Sequence, residues 1–340
     1  MQTHQASYLD FLGTPGAQLS IPVFQRQYSW GVWQCEELWE DMLGAGAASE
    51  EHFIGSIVYT EEAACGERGI ERLFNVVDGQ QRTTTVSLLL IALREHLAAS
   101  GGSVCGLNAR DIDERFLHLQ GADGRAPKLA AAPADQATYA SLLDGAPLPA
   151  RYKVSSCMTV NCAFFKEKLA ALEELEQLWR GMERLFAIIV LLDGDDDPQL
   201  IFEGINSKGM SLATSDLLRN KLFYGADEAE QQRLLEQYWE PIEAIFDNGT
   251  NQLAFNAALR CWLVGKDPSL EKHNRHELYS VFRKFVNESY EGTIEELMAE
   301  LLEHCRAFKE QIRGPQVKCH LDWAVGEAPA GAANRIFGIN

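Results

Sequence analysis

The first hundred residues contain no lysine. Their basic side chains are Arg26, Arg68, Arg72, Arg82 and Arg94, and the first lysine is Lys128. Arginine presents a planar fork of donors that matches phosphate, so the bias suits a phosphate-facing half of the chain; genomic composition is the competing cause. No run of about 18 apolar residues occurs, which argues against a transmembrane helix. The opening MQTHQASYLD lacks a basic stretch followed by an apolar one, so it does not read as a secretory leader. No CxxC occurs among the eight cysteines, and the closest pair, Cys157 and Cys162, has a spacing that fits no common zinc pattern. They read as reduced thiols of a cytoplasmic protein. Neither GxxxxGK[ST] nor GxGxxG is present, which removes the two commonest phosphate-binding loops. Excess positive charge is missing as well. A net charge of −19 over 340 residues argues against non-specific coating of nucleic acid but leaves room for a local basic groove.

What is present suffices for a core. With 46% hydrophobic and 23% charged residues, the chain is long enough for two domains or one elaborate one. Residues 5–12 suit a short helix. LSIPVFQRQYSW (19–30) reads as extended, because Pro22 holds Ile21 away from helical geometry. Val32, Cys35, Leu38, Trp39, Met42 and Leu43 recur at helical spacing. HFIGSIVYT (52–60) and IERLFNVVD (70–78) read as hairpin strands around the turn-rich EAACGERG. A helix then starts near Gln80 and ends near Gly101. Residues 101–155 hold short helices and loops, 160–182 are helical, and RLFAIIVLL (184–192) is a buried strand. DGDDDP (193–198) offers Asp197 as a helix cap ahead of Pro198. From about 226 onward the pattern is helical, without internal repeats. The final GEAPAGAANRIFGIN carries no terminating signal, as expected of the N-terminal part of a longer protein.

The stretch VDGQQRTTT (77–85) sits where a strand ends and a helix begins. The first turn of a helix offers unpaired N–H groups and the positive end of the dipole, a natural seat for phosphate. Gly79 permits close backbone approach. Arg82 adds a full charge, Thr83 and Thr84 add hydroxyls, and Asp78 is a candidate for holding Mg²⁺ or orienting water. The plainer reading is a turn capped by Asp78, with Arg82 paired to a surface acid. Two further stretches bear on the choice. In IPVFQRQYSW, strand spacing would put Arg26, Tyr28 and Trp30 on one face, able to hold a phosphate and stack a base, with Gln25 and Gln27 on the other; a core role for the two aromatics is the alternative. In FEGINSKGMSLATSDLLRNKLF, Asn206 and Lys208 form a polar turn, and Asp216 falls in the first turn of the following helix.

Taken together, IPVFQRQYSW, FIGSIV, VVDGQQRTTT and FEGINSKGMSLATSDLLRN resemble, in order and spacing over about residues 8–225, the bacterial DGQQR-motif family. That family forms the N-terminal domain of GmrSD-type modification-dependent restriction enzymes and of the phosphorothioate-sensing protein SspE. The resemblance implies an α+β fold with a small sheet like that of ParB and sulfiredoxin. It implies a nucleotide-hydrolysing, DNA-sensing domain over 1–225, with 101–155 as an insertion. A helical region over 226–340 would lead to a C-terminal nuclease domain. Asp78, Gly79, Gln80, Gln81 and Arg82 would lie in the nucleotide site, with Gln25, Arg26 and Tyr28 beside it. Asn206, Lys208 and Asp216 would join from later helices, and Thr83 and Thr84 would reach phosphate. The implied cofactors are a nucleoside triphosphate of unspecified base and Mg²⁺ at Asp78; the implied partners are modified DNA and a nuclease domain, with self-association open. Physically, Arg82 and the helix N-terminus would neutralise phosphate charge, Asp78 would orient metal or water, and Gln80 or Gln81 would position the water.

Three functions compete on this sequence: a triphosphatase coupled to DNA recognition, a non-hydrolysing reader of modified DNA, and a direct nuclease. The modification read is phosphorothioate or, alternatively, glucosylated cytosine. An HNH nuclease signature is lacking. KHNRHE (272–277) has tempting letters but reads as an exposed polar helix face. Asp193, Asp195, Asp196 and Asp197 miss the EF-hand spacing and read as a solvated capping loop.

Overall fold

The computed structural model describes residues 1–64, 66–121, 124–148, 155–193, 196, 201, 213–223, 225–246, 251–312 and 314–325. It divides into two compact units, Met1–Phe202 and Glu203–Asn340. The fold is α+β: a mixed sheet with helices in the first unit, and helices throughout the described part of the second.

Six strands build the sheet of the first unit: β1 (Gln2–Ser7), β2 (Ala17–Ser20), β3 (His52–Ala63), β4 (Arg72–Asp78), β5 (Leu129–Ala130) and β6 (Leu185–Leu192). Their spatial order is β1-β6-β3-β4-β2-β5. β3 and β4 pair antiparallel, as the hairpin reading expected, and β6 runs parallel to β3. β6 is one of the most apolar stretches of the chain because it lies between two neighbours. The register of β6 against β3 slips between Phe186↔Phe53 and Ile188↔Ser56, so Ile54 and Gly55 bulge out of the ladder. Gly55 has φ +102°, a conformation that glycine adopts without penalty.

The structure departs from the sequence reading in three stretches of the first unit. Residues 5–12 are not one helix: Gln2–Ser7 pair antiparallel with β6, and only Tyr8–Leu12 are helical. A partner 180-odd positions away decides that strand, and local spacing carries no trace of it. The extended reading of 19–30 holds only to Ser20; Ile21–Gly31 is irregular, with a turn at Val23–Gln25. The helix over 160–182 is two, Ser156–Ala171 and Leu175–Arg184.

The central helix, α1 here, runs Gln80–Ser100 and ends on Gly101 in left-handed geometry. Val86, Leu88, Leu89, Leu90, Ile91, Ala92 and Leu93 are all essentially inaccessible. A helix apolar all round is one enclosed all round. The sheet core and the helix Ser156–Ala171 supply that enclosure.

In the second unit, helix Gln252–Lys266 packs on Ile294–Gln311 and Pro315–Val325. Phe223, Trp239, Phe246 and Phe255 form edge-on aromatic contacts in its core. The KHNRHE stretch is polar but is not the helix face expected: it runs from the end of one 3₁₀ turn (Pro268–Lys272) into another (Arg275–Glu277), with His273 exposed between them and bonded to Glu277 at 3.1 Å. No helix among the described residues is long and apolar enough to cross a membrane.

Candidate functional site

β4 ends on Asp78, and the next residue turns the chain into α1. Gly79 occupies the cap position with φ +96° and ψ 0°. A Cβ there would lie 3.2 Å from Ile57 Cγ1 and 3.3 Å from the Ser56 carbonyl oxygen, so glycine serves both conformation and space. The cap position belongs to Gly79, which has no side chain to cap with, and not to the Asp78 of the plainer reading. The first backbone bond of the helix runs from Thr83 N to Gly79 O at 2.9 Å. The amides of Gln80, Gln81 and Arg82 precede it and have no acceptor within the helix.

Arg82 turns back toward β3. Its guanidinium donates to the carbonyl oxygens of Ile54 and Ser56, the latter at 2.9 Å, on either side of the Gly55 bulge. The Asp78 carboxylate stands 3.8 Å away, and both side chains are under one-fifth exposed. The arginine partner is therefore mainly backbone carbonyl, with one near carboxylate, and two of its five N–H groups are spent on the strand.

The two glutamines of the motif have different surroundings. Gln81 Oε1 accepts from Ser29 N at 2.9 Å, and its Nε2 donates to Gln27 O at 3.3 Å. Its amide thus ties down the irregular segment that carries QRQYSW. Gln80 is 9% exposed, and its buried Oε1 has no hydrogen-bond partner.

That segment is held at further points. Gln25, itself buried, donates through Nε2 to Val77 O at 2.9 Å. Tyr28 N donates to the buried carboxylate of Asp135 at 2.6 Å. Asn161 Nδ2 donates to both Tyr28 Oη and Trp30 O, each at 2.8 Å. The Thr85 hydroxyl gives its hydrogen to Gln81 O at 2.9 Å, so Tyr28 Oη, 2.7 Å from it, is the donor to Thr85. Burial raises the Tyr28 phenol and keeps it neutral. Arg26 and Trp30 are half-buried, while Trp33 is 61% exposed. Arg26, Tyr28 and Trp30 do not form a strand face, because the segment makes side-chain bonds to α1 instead of ladder bonds.

Thr83 and Thr84 are buried within α1. The Thr83 hydroxyl donates to Gly79 O at 3.0 Å and faces Tyr8 Oη at 3.0 Å. Burial pushes the Tyr8 phenol up to about 12. Asp216 lies in the first turn of helix Thr214–Phe223, in the second unit. Asn206 and Lys208, like Asp195 and Asp197, lie outside the described residues. Three participants escaped sequence reasoning: Gly55, Asn161 and Asp135. An isolated glycine in the apolar FIGSIV is a bulge signal, and Asn161 is a polar residue on the buried face of its helix. Asp135 gives no such signal.

A segment tied to the opening of a buried helix, beside a strand bulge, defines a domain assembled around the DGQQR turn. Residues 9–223 match the model of the N-terminal domain of the GmrSD restriction endonuclease. The chain belongs to that family, and it is accordingly a module of a restriction system. Comparison with curated proteins gives no match.

Proposed function

We propose that this module hydrolyses a nucleoside triphosphate at the Asp78–Arg82 turn and couples that reaction to recognition of modified DNA, phosphorothioate DNA being the favoured class, on behalf of a nuclease domain. One observation carries the reading. A 21-residue helix begins on a left-handed glycine with no capping side chain, next to a guanidinium seated on carbonyl oxygens. First-turn amides with no acceptor in the helix and a fixed cation suit a polyphosphate.

Among the described residues no cluster of three His, Cys, Asp or Glu side chains could hold a metal ion. Mg²⁺ bound to a nucleotide needs less: one carboxylate, the phosphates and water. Asp78, 3.8 Å from the Arg82 guanidinium, is that carboxylate. The ion, when bound, supplies charge neutralisation at the phosphates. Arg82 contributes from a rigid seat, with the N–H groups that the strand leaves over. The sulfur of a phosphorothioate is larger and more weakly hydrated than oxygen, so it seeks apolar contact. Of the three aromatics Tyr28, Trp30 and Trp33, only Trp33 offers a largely open ring, and it is the one assigned to DNA.

The test is phosphate release with Mg²⁺ across a nucleotide panel, with and without modified DNA. Turnover stimulated by modified DNA and lost in Arg82→Ala is expected. Tight DNA binding with no turnover would replace the reading with a pure binding module. DNA binding is expected to weaken steeply with salt, because a chain of net charge −19 attracts DNA only locally. Equal binding of plain and phosphorothioate DNA would overturn the sulfur assignment.

A further inference from the structure

We infer that the neighbouring amides of the DGQQR turn have opposite tasks: Gln80 positions the attacking water, and Gln81 is a structural tie that never meets the substrate. The inference rests on the hydrolytic reading above and goes past it by separating two residues that the sequence treats alike.

Gln81 is engaged at both ends of its amide. Its carbonyl oxygen takes the Ser29 amide hydrogen at 2.9 Å and lies 3.5 Å from the Ser29 hydroxyl, while its nitrogen donates to Gln27 O. The Ser29 N–H also fixes which end of this amide is oxygen, since only an oxygen accepts there. Removing Gln81 for catalysis would release residues 27–29.

Gln80 is the reverse case. It is as buried as its neighbour, at 9% exposure, yet its Oε1 meets no donor. Buried polar atoms in folded proteins nearly always find a protein group, an ordered water or a ligand. Gln80 is the first residue of α1, in the turn whose backbone amides have no acceptor within the helix. An anion bound by that turn would be bound by the turn that carries Gln80.

An amide is too weak a base to take the proton, so its role is orientation. Oε1 accepts one hydrogen of a water molecule and aims its lone pair. The water oxygen forms the new bond to the terminal phosphorus, the bond from that phosphorus to the bridging oxygen breaks, the nucleoside diphosphate leaves with the bonding pair, and the proton passes to the phosphate product and then solvent.

The experiment compares Gln80→Ala and Gln81→Ala in the full chain by three measurements: thermal melting, affinity for a non-hydrolysable triphosphate with Mg²⁺, and single-turnover phosphate release. Gln80→Ala is expected to melt with the parent, to bind the analogue within about twofold, and to hydrolyse about 10–100-fold more slowly, the scale of losing orientation at a reacting centre. Gln81→Ala is expected to melt several degrees lower, by loss of its tie. Parent-like turnover in Gln80→Ala, or a melting loss equal to that of Gln81→Ala, would overturn the assignment while leaving the hydrolytic reading intact. A parent protein inactive on every nucleotide, with and without modified DNA, would remove the hydrolytic reading itself.

Discussion

Arg82 and Gly55 occupy one another's space. A Cβ built on Gly55 would sit 2.1 Å from Arg82 Nη1. The missing side chain of one residue is the room in which the guanidinium of the other reaches the carbonyl oxygens of Ile54 and Ser56. The bulge in β3 and the arginine of the motif are one device, though 27 positions separate them.

Gly55→Ala therefore combines a strained φ with a collision, and an unfolding loss of about 2–4 kcal/mol is expected. Gly66→Ala, at φ +81° with open space around it, bears only the conformational part, about 1 kcal/mol. In an Arg82→Ala background the two glycine substitutions should converge. Urea unfolding of the double-mutant cycle measures this, and strict additivity between Gly55→Ala and Arg82→Ala would refute the coupling.

Tyr28→Phe deletes one hydroxyl from a buried network. Thr85 loses a donor and Asn161 loses one of two acceptors. The expected cost is about 1–2 kcal/mol, with faster hydrogen exchange of the Ser29 and Trp30 amides as residues 28–30 loosen. If the ring served only for stacking, Tyr28→Phe would leave both stability and nucleotide binding unchanged, because phenylalanine keeps the ring.

In the second unit, Arg260 donates from Nη1 to His320 Nδ1 at 2.7 Å, which requires the neutral imidazole. Burial first, and then the Arg260 charge, lower the His320 imidazole below the ordinary histidine value of about 6.5; Glu271 opposes this and His304 adds to it. His304, donating to Ala258 O, is lowered by burial as well. A lowered histidine binds its proton less readily when folded than when unfolded. Stability is thus complete above about pH 6.5 and is lost as the pH falls below it. Melting of this unit is expected to drop by about 2–5 °C between pH 7 and pH 5.5. His320→Gln, which keeps an acceptor for Arg260, should flatten that dependence; a profile as steep as the parent's would rule out His320 as the source.

Much of this architecture was legible in the residues. The β3–β4 hairpin, the start of α1 at Gln80 and its end at Gly101 follow from apolar period and glycine placement, which are local signals. The β1 strand was not legible, because polar Gln2–Ser7 become a strand only through β6. The course of QRQYSW failed for a related reason. Alternation at Arg26, Tyr28 and Trp30 mimics a strand, but Gln81, Asp135 and Asn161 hold the segment by side-chain bonds that no period encodes. At the DGQQR turn the sequence gathers the right residue types, yet whether an amide is engaged or idle is visible only in three dimensions.

The position of β6 has a consequence for biosynthesis. It lies between β1 and β3, so the strand that joins the two outer portions of the sheet is the last of the six to leave the ribosome. Until then β3 has its hairpin partner on one side and bare backbone on the other, including the stretch around Gly55. Such late, long-range closure is slow and leaves an open edge during synthesis. Nascent chains stalled before residue 185 should be held by chaperones and remain protease-sensitive, and those that have released residue 192 should become resistant.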